Sequence, residues 1–330
     1  MKKTAIAHAN IALIKYWGKR DEDLILPYNS SISMTLDKLY TTTTVEFSDI
    51  YNQHDVIIND KSVTEEEFQR VVNHLDLIKG FSQSHSFAKV VSKSNFPKKA
   101  GLASSASGFA ALTLAASAAL NLSLGYKELS ILARRGSGSA ARSIGGGFAR
   151  WNRGEKADGS DSYAETIADS DHWPELSMIV SIISIQEKKV SSRAGMKQAI
   201  STSPFYRAWL DTIQYDLEMV ERAIKEKNFS LLGEIMENNA LKMHATMHTT
   251  KPPILYWEAG SIALMKEVIE LREEGIECYF TMDAGPQVKI LCLKSEIPKI
   301  LERIKLKNLA QECFVCHPGD KAYLSEAHLF

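Results

Sequence analysis

Four short stretches of this chain combine residue types that can grip phosphate and handle a proton. Gly101-Leu102-Ala103-Ser104-Ser105-Ala106-Ser107 gathers small side chains where a turn feeds an Ala- and Leu-rich run ending near Leu120. Unpaired backbone N–H groups at such a helix start, together with the positive end of the helix dipole, favour phosphate, and serine hydroxyls can add contacts or help to hold Mg²⁺. A Gly/Ser turn closed by a serine N-cap accounts for the same letters, so the loop alone does not decide. It is neither a Walker A sequence, which needs Gly-Lys-Ser/Thr, nor a GxGxxG dinucleotide fingerprint.

The second stretch, Asn10-Ile11-Ala12-Leu13-Ile14-Lys15-Tyr16-Trp17-Gly18-Lys19-Arg20, places lysines, an arginine and aromatics after an apolar strand. Lysine acts on phosphate as a compact point charge and Tyr16 can donate a hydroxyl proton, which suits a diphosphate; a strand end with solvated lysines is the plainer alternative. The third, Arg134-Arg135-Gly136-Ser137-Gly138-Ser139-Ala140-Ala141-Arg142, joins three arginines to a Gly/Ser nest and makes a second anion cradle. The fourth, Phe280-Thr281-Met282-Asp283-Ala284-Gly285-Pro286, sets an acid at the C-terminal end of an apolar strand. Asp before Gly-Pro is commonly a turn former. Among lysine and arginine, its carboxylate stays ionised and can accept or orient a hydroxyl proton. Val190-Ser191-Ser192-Arg193-Ala194-Gly195-Met196 adds a Ser/Arg turn at a helix start.

The elements that must position these groups read as strands at Lys3–Ile14 and Thr41–Phe47, a strand and turn at Val56–Asp60, a helix over Glu65–Ile78 and a strand at His85–Val91. A helix over Tyr126–Ala133, a loop over Arg134–Arg142 and an extended stretch at Gly145–Trp151 follow, with Asn152–Ser162 a solvated connection. Beyond a strand at Met178–Ile185 comes a long helical region, Pro204–Met247, broken near Asn228. A helix at Tyr256–Glu273, strands at Cys278–Met282 and Val288–Leu293, a helix at Ile297–Ile304 and a last strand suggest a ferredoxin-like α+β second half.

With 330 residues, one large or two closely packed domains are expected, and 45% hydrophobic with 24% charged residues is ordinary globular usage. Lys plus Arg total 39 against 40 for Asp plus Glu, so no global field grips nucleic acid or an anionic membrane, and any anion site is local. The apolar runs are far shorter than the ~20 residues of a spanning helix. The Met1-Lys2-Lys3 opening is interrupted by His8, Asn10 and Lys15 before a secretory core could form. Four cysteines, all after residue 277, do not make a secreted disulfide framework, and reduced thiols in a cytoplasmic protein are expected.

The four stretches, in this order and spanning positions 10 to 286, resemble the mevalonate diphosphate decarboxylases of the GHMP kinase superfamily. Lys15-Tyr16-Trp17-Gly18-Lys19 and Asp283-Ala284-Gly285-Pro286 are the specific parts, whereas the serine loop marks GHMP kinases at large; Asn29-Ser30-Ser31-Ile32-Ser33 and Val190–Met196 match as well. The resemblance implies a GHMP fold: an N-terminal domain of the ribosomal protein S5 domain 2-like type (1–175), a ferredoxin-like C-terminal domain (176–330), and an active site in the cleft between them. It implies ATP and Mg²⁺, carried as Mg-ATP with direct protein ligands undefined, phosphorylation of the tertiary 3-hydroxyl of mevalonate 5-diphosphate, then loss of phosphate and CO₂ to give isopentenyl diphosphate. A homodimer without nucleic-acid or membrane partners is implied too.

By matching residues, Asp283 would orient or deprotonate the hydroxyl, Lys15 would stabilise that carboxylate and the transferring phosphoryl, Arg142 would hold the substrate carboxylate, and Ser105 would stand closest to the reaction on the ATP side. Asn10, Tyr16, Trp17, Gly18, Lys19, Ser137, Gly138, Ser139, Ala140, Ala141, Ser192, Arg193 and Met196 carry over as substrate-binding positions, with Arg70 a further contact. Gly101, Leu102, Ala103, Ser104, Ser105, Ala106 and Ser107, with Asn95, carry over for ATP. This sequence departs from the family at Gly145, where a bulky aromatic is usual, and at Gln287, where Asn is usual; the tail beyond Leu309 matches nothing in the pattern.

Two other patterns compete. Cys313-Phe314-Val315-Cys316-His317 spells a haem-attachment motif but alternates like a terminal strand, and His244 and His248 stand one helical turn apart without an acidic or cysteine third ligand nearby. The nearest alternatives in activity are a kinase stopping at 3-phosphorylation and a decarboxylase of the monophosphate; an ATP-binding regulator is the non-catalytic one. Two substitutions test the assignment. Asp283→Ala should leave substrate binding largely intact and collapse kcat, so near-normal turnover would remove Asp283 from the chemistry. Lys19→Ala should chiefly raise KM for the diphosphate, and an unchanged KM would move Lys19 out of the site.

Overall fold

A computed structural model describes residues 1–96, 104–186 and 188–330. Its first unit opens with β1 (Lys2–Ile14), the short ribbon β2 (Lys19–Asp21) and β3 (Leu26–Pro27), and the long β4 (Ser31–Ser48). The hairpin β5 (Asp55–Ile58) and β6 (Lys61–Ser62) turns through Asn59 and Asp60, both at positive φ as a tight primed turn requires. Then come α1 (Glu65–Lys79), capped by Thr64, β7 (Phe87–Ser94), α2 (Ser104–Ala119), α3 (Tyr126–Gly136), α4 (Ala140–Ser143), β8 (Phe148–Trp151) and β9 (Ala164–Ala168).

The second unit comprises β10 (Leu176–Ile182), α5 (Ser192–Thr202), α6 (Tyr206–Glu226), α7 (Phe229–His248), α8 (Ala259–Glu273), β11 (Cys278–Met282), β12 (Val288–Leu293), α9 (Ile297–Leu306) and β13 (Glu312–Cys316). The expected break near Asn228 is real: Lys227 takes a left-handed conformation and Asn228 caps α7 by accepting from Leu231 N at 3.1 Å. Strand order β11-β12-β10-β13, antiparallel throughout, is the ferredoxin-like arrangement that the second half suggested.

The first sheet runs β14 (Tyr323–Ser325, the last strand)-β1-β4-β7-β5-β6, with β8 beside β4 and β9 beside β8. The tail beyond β13 therefore leaves the second sheet. His317 N donates to Asp37 Oδ1 at 2.7 Å, Gly319 N donates to Thr35 O at 2.9 Å, and β14 pairs with Thr4–Ile6 of β1. Two further differences from the expected elements have local causes. The Arg134–Arg142 loop is largely helical, because Arg134 turns inward to donate to the carbonyls of Leu24, Gly159 and Ser162 and so anchors the last turn of α3. Strand β9 carries exposed Glu165 and Thr166 in its middle, which hid it among the polar residues before it.

β4 organises the first sheet by pairing twice. Its first residues face Asn10–Ile14 of β1 and all of β8, and its later residues face the start of β1 and β7. The β1–β4 ladder slips in register between His8 and Asn10 and again between Ala12 and Ile14, and such bulges re-aim side chains. α2 lies across β1 and β4, where small residues let it approach closely. One apolar cluster crosses both units, joining Ile11, Leu13 and Trp17 to Trp209, Leu217, Met236 and Met243. Burial of this shared core fixes the end of β1 relative to the helices of the second unit.

Candidate active site

β1 ends at Ile14, and the next residue, Lys15, is 1% exposed. An ammonium group cannot be buried that far from water without partners. Lys15 Nζ donates to Ala12 O at 2.9 Å and to Asp283 Oδ1 at 2.8 Å. Asp283 sits just past β11, whose five residues are all buried, so its carboxylate is presented by a rigid strand from the other unit. On its other oxygen, Oδ2, stands Lys289 Nζ at 3.2 Å, from the facing strand β12.

Burial by itself would push the Asp283 carboxyl up, but the charges and hydrogen bonds of Lys15 and Lys289 outweigh it and hold it below the usual carboxylate range. Burial likewise lowers the Lys15 ammonium, which the charge of Asp283 only partly offsets; its pKa comes down to about 8. Asp283 remains 29% exposed, so the ionised carboxylate is reachable from the cleft while both lysines are shielded.

Arg142, on α4, is buried beside this group. It donates from Nη1 to Ser31 Oγ at 2.5 Å and from Nε to Asn10 Oδ1 at 3.3 Å, and its guanidinium lies 5.9 Å from the Trp151 ring. Burial brings it down to about 10 and the charge of Asp283 pulls the other way, so it stays cationic at neutral pH. Asn10 completes the frame by donating to Ser143 Oγ at 2.7 Å and to Ser139 O at 3.1 Å. With only two of its five N–H donors engaged among the described residues, Arg142 retains a fork for a carboxylate.

The two anion cradles meet. Ser137 Oγ donates to Ser105 Oγ at 3.2 Å and lies 3.4 Å from Ser139 Oγ, which brings the turn before α4 to the N-terminal turn of α2. Gly101, Leu102 and Ala103 lie outside the described residues; Ser104, Ser105 and Ala106 open α2. Ser107 turns inward instead, sharing a 2.7 Å hydrogen bond with Thr41 Oγ1 inside the protein. The Asn95 side chain accepts from Tyr40 N at 2.9 Å and donates to Lys38 O at 2.7 Å, which ties a turn to β4. Ala140 and Ala141 are buried, and they contribute packing around Arg142.

Lys19, Arg70 and Arg193 come from separate elements to line one cavity of about 360 Å³, together with Arg135 and the acids Glu22 and Asp23. Lys19 is paired with Glu22, and Arg70 stacks 4.9 Å from the Phe109 ring. Gly136 also lines the cavity, and a Cβ there would stand 2.1 Å from Phe109. Tyr16 packs edge-on to Trp151 at 4.7 Å with Gly138 against both rings. Trp17 is a core residue whose carbonyl accepts from Tyr206 Oη at 2.8 Å; Gly18, at φ +109°, makes room for that tyrosine. Met196 is buried in α5, and Ser192 Oγ accepts from Lys188 Nζ at 2.8 Å.

Lys188 and Lys289 are absent from the sequence-derived assignment, and Arg135 entered it only as one of the three arginines of the second anion cradle. Lys188 also donates to Ala284 O at 2.9 Å, beside Asp283. For Lys289 a signal existed: it is the one charge in Val288-Lys289-Ile290-Leu291-Cys292-Leu293, a strand otherwise wholly apolar. Both family departures have local explanations. The Tyr126 hydroxyl stands 2.6 Å from where a Cβ on Gly145 would be, so Tyr126 fills the space an aromatic at 145 would claim. Gln287 Oε1 accepts from Ile183 N at 2.6 Å, pinning the end of β10. His244 and His248 flank the Trp257 ring at 5.1 and 4.5 Å, and Cys313 and Cys316 join different cores on opposite faces of β13.

Residues 7–164 match the model of the diphosphomevalonate decarboxylase-like N-terminal domain, and residues 178–321 that of the mevalonate 5-diphosphate decarboxylase C-terminal domain. The diphosphomevalonate decarboxylase of Aspergillus fumigatus is 38% identical over 322 residues, covering 92% of this chain and 80% of that protein. A solved structure of the mevalonate diphosphate decarboxylase from Enterococcus faecalis superposes with a TM-score of 0.92 at 45% identity over 99% of both chains. Another, described as MDDEF in complex with MVAPP, AMPPCP and magnesium, superposes with a TM-score of 0.92 at 46% identity, again over 99% of both.

The lowered Lys15 ammonium sets a pH dependence. Above pH about 8 Lys15 loses its proton and Asp283 loses a partner, so turnover should fall along an alkaline limb with a midpoint about 8. The sign for stability is opposite: between about 8 and the ordinary lysine range the unfolded chain binds this proton more tightly, so Lys15 makes folding more favourable as pH rises. A kcat–pH profile beside thermal unfolding midpoints checks this, and activity lost only in step with unfolding would contradict it.

Proposed function

This chain belongs to the diphosphomevalonate decarboxylase family, and from that premise we propose how its residues convert (R)-mevalonate 5-diphosphate and ATP to isopentenyl diphosphate, CO₂, ADP and phosphate. The observation that carries the reading is one accessible carboxylate, Asp283, held ionised between Lys15 and Lys289 with Arg142 alongside. The diphosphate enters the cavity of Lys19, Arg70, Arg135 and Arg193, whose clustered cations match its charge. Arg142 takes the substrate carboxylate, and the tertiary hydroxyl donates to Asp283. The nucleotide's phosphates lie at the N-terminus of α2, whose first turn carries no acid, with Ser105 facing the transferring group.

Asp283 is a weak base because two ammonium groups hold its pKa down. It therefore aims the hydroxyl rather than stripping it early, which suits a loose phosphoryl transfer with little bond formation to the nucleophile. The hydroxyl oxygen bonds the γ-phosphorus as the bond to ADP breaks, and its proton passes to Asp283 and on to solvent. The C3–O bond then breaks with its electron pair leaving on phosphate, and the pair of the C–CO₂ bond becomes the new double bond. Lys15 and Lys289 neutralise Asp283 throughout, and Lys15 and Lys188 place positive charge where phosphate oxygens gather.

Mg²⁺, when bound, shields the charge of the transferring phosphates. Among the described residues no three His, Cys, Asp or Glu side chains come together to hold a metal, whereas Ser105 and the open Asp283 carboxylate are oxygen donors of the kind it takes. An ion that arrives on the nucleotide fits that set. The domain division at 175/176 accords with the two matched models, with the tail returning to the first sheet. A cytoplasmic homodimer without membrane or nucleic-acid partners completes the reading; the net charge of -1 gives no global field for gripping a polyanion. Among the described residues no helix is long and apolar enough to cross a membrane.

Turnover of mevalonate 5-diphosphate should yield ADP, phosphate and CO₂ in equal amounts, with mevalonate and its monophosphate used far less well. Accumulation of a stable 3-phosphorylated product without CO₂ would contradict the reading.

A further inference from the structure

Lys15 lies beyond the end of the β1 ladder, so sheet pairing supplies no partner for its own N–H and C=O. Two asparagine side chains do so. Asn29 Nδ2 donates to Lys15 O at 2.8 Å from the same unit, and Asn239 Oδ1 accepts from Lys15 N at 2.9 Å from helix α7 of the other. Asn239 Nδ2 in turn donates at 2.7 Å to Asp216 Oδ2 on α6, and Lys242 Nζ, one turn along α7, reaches the same oxygen at 2.5 Å. Asn239 is fully buried and Asp216 nearly so.

This chain of contacts has only one workable polarity. An ionised carboxylate can only accept, so the NH₂ of Asn239 must face Asp216, and its carbonyl oxygen must then face the Lys15 N–H. Asp216 thus selects the amide orientation that holds Lys15. The surroundings are the apolar seam of Trp209, Ile213, Leu217, Met236 and Met243, where apolar side chains could pack without the cost of drying a carboxylate. Stability alone gives little reason to keep a charge there. What the chain does is end on the main chain of the residue whose ammonium grips Asp283.

We propose that Asp216 and Asn239 are positioning residues for the reaction: acting through the Lys15 main chain, they let helices α6 and α7 hold the Lys15 ammonium in register with Asp283. The inference rests on the role given to Lys15 under the proposed function. A displacement on the order of 1 Å in such a group costs roughly a hundredfold in rate.

The test uses the full-length enzyme with Asp216→Asn, Asn239→Leu, the double variant, and Lys15→Met as reference. Asp216→Asn, which removes the charge but keeps the shape and frees the neighbouring amide to flip, should lower kcat roughly tenfold, and Asn239→Leu by roughly ten- to a hundredfold. KM for ATP and for mevalonate 5-diphosphate should move less than about twofold in both, since neither residue meets substrate. Because Asp216 acts only through Asn239, the double variant should match Asn239→Leu within about twofold. Normal kcat in the folded single variants while Lys15→Met collapses, or kcat losses that multiply in the double variant, would overturn the proposal. Near-normal turnover by Lys15→Met would instead remove the role of Lys15 on which it rests. Should Asn239→Leu fail to fold, the kcat-against-KM split of the near-isosteric Asp216→Asn decides alone: a normal kcat overturns the proposal, and a selective fall upholds it.

Discussion

A carboxylate pinned between two buried ammonium groups is the constraint around which this protein is arranged. Lys15 follows the end of β1 in the first unit, while Asp283 follows β11 and Lys289 stands on its neighbour β12 in the second. Removing one partner from such a group leaves an uncompensated buried charge, a loss of roughly 3–5 kcal/mol. The two halves must therefore meet in one way, and the apolar seam from Ile11 and Trp17 to Trp209 and Met243 enforces that meeting.

Charge is handled differently on either side of this centre. At Asp283 the cations are fixed and few, and two of them share one carboxylate. In the cavity of Lys19, Arg70, Arg135 and Arg193 they are gathered around open space, where a polyanion supplies the missing counter-charge. Ser105, Ser137 and Ser139 join the two regions through hydroxyl contacts, so a nucleotide phosphate at α2 and a substrate at α4 would share one wall. Local cation clusters of this kind explain how a chain with a net charge of -1 can handle two highly charged substrates.

Much of this was legible in the letters because the motifs fall at element ends, where chemistry and punctuation coincide. Asp283 after an apolar strand, Lys15 after another and Ser105 at a helix start could each be placed by periodicity. Arg135, Lys188 and Lys289 were not, since their roles depend on which elements pack together. Lys289 reads as a strand residue until the neighbouring strand β11, which pairs it with Thr281, brings Asp283 Oδ2 within 3.2 Å of its ammonium. Ser107 and Asn95 show the reverse: the resemblance assigns both to ATP, but their hydrogen bonds face Thr41, Tyr40 and Lys38. The return of the tail to β1 had no local signal, because strand pairing across more than three hundred residues is set by the fold.

The ionisation of Asp283 is the most direct test. Difference infrared spectra of ¹³C-aspartate-labelled wild type and Asp283→Asn, titrated downward from neutral pH, isolate its carboxyl band. An ordinary aspartate is about half protonated near pH ~3.9; Asp283 should still be fully ionised there, held so by Lys15 and Lys289. A protonated carboxyl band from Asp283 at half intensity at or above that pH would contradict the ion-pair arrangement and the catalytic role built on it.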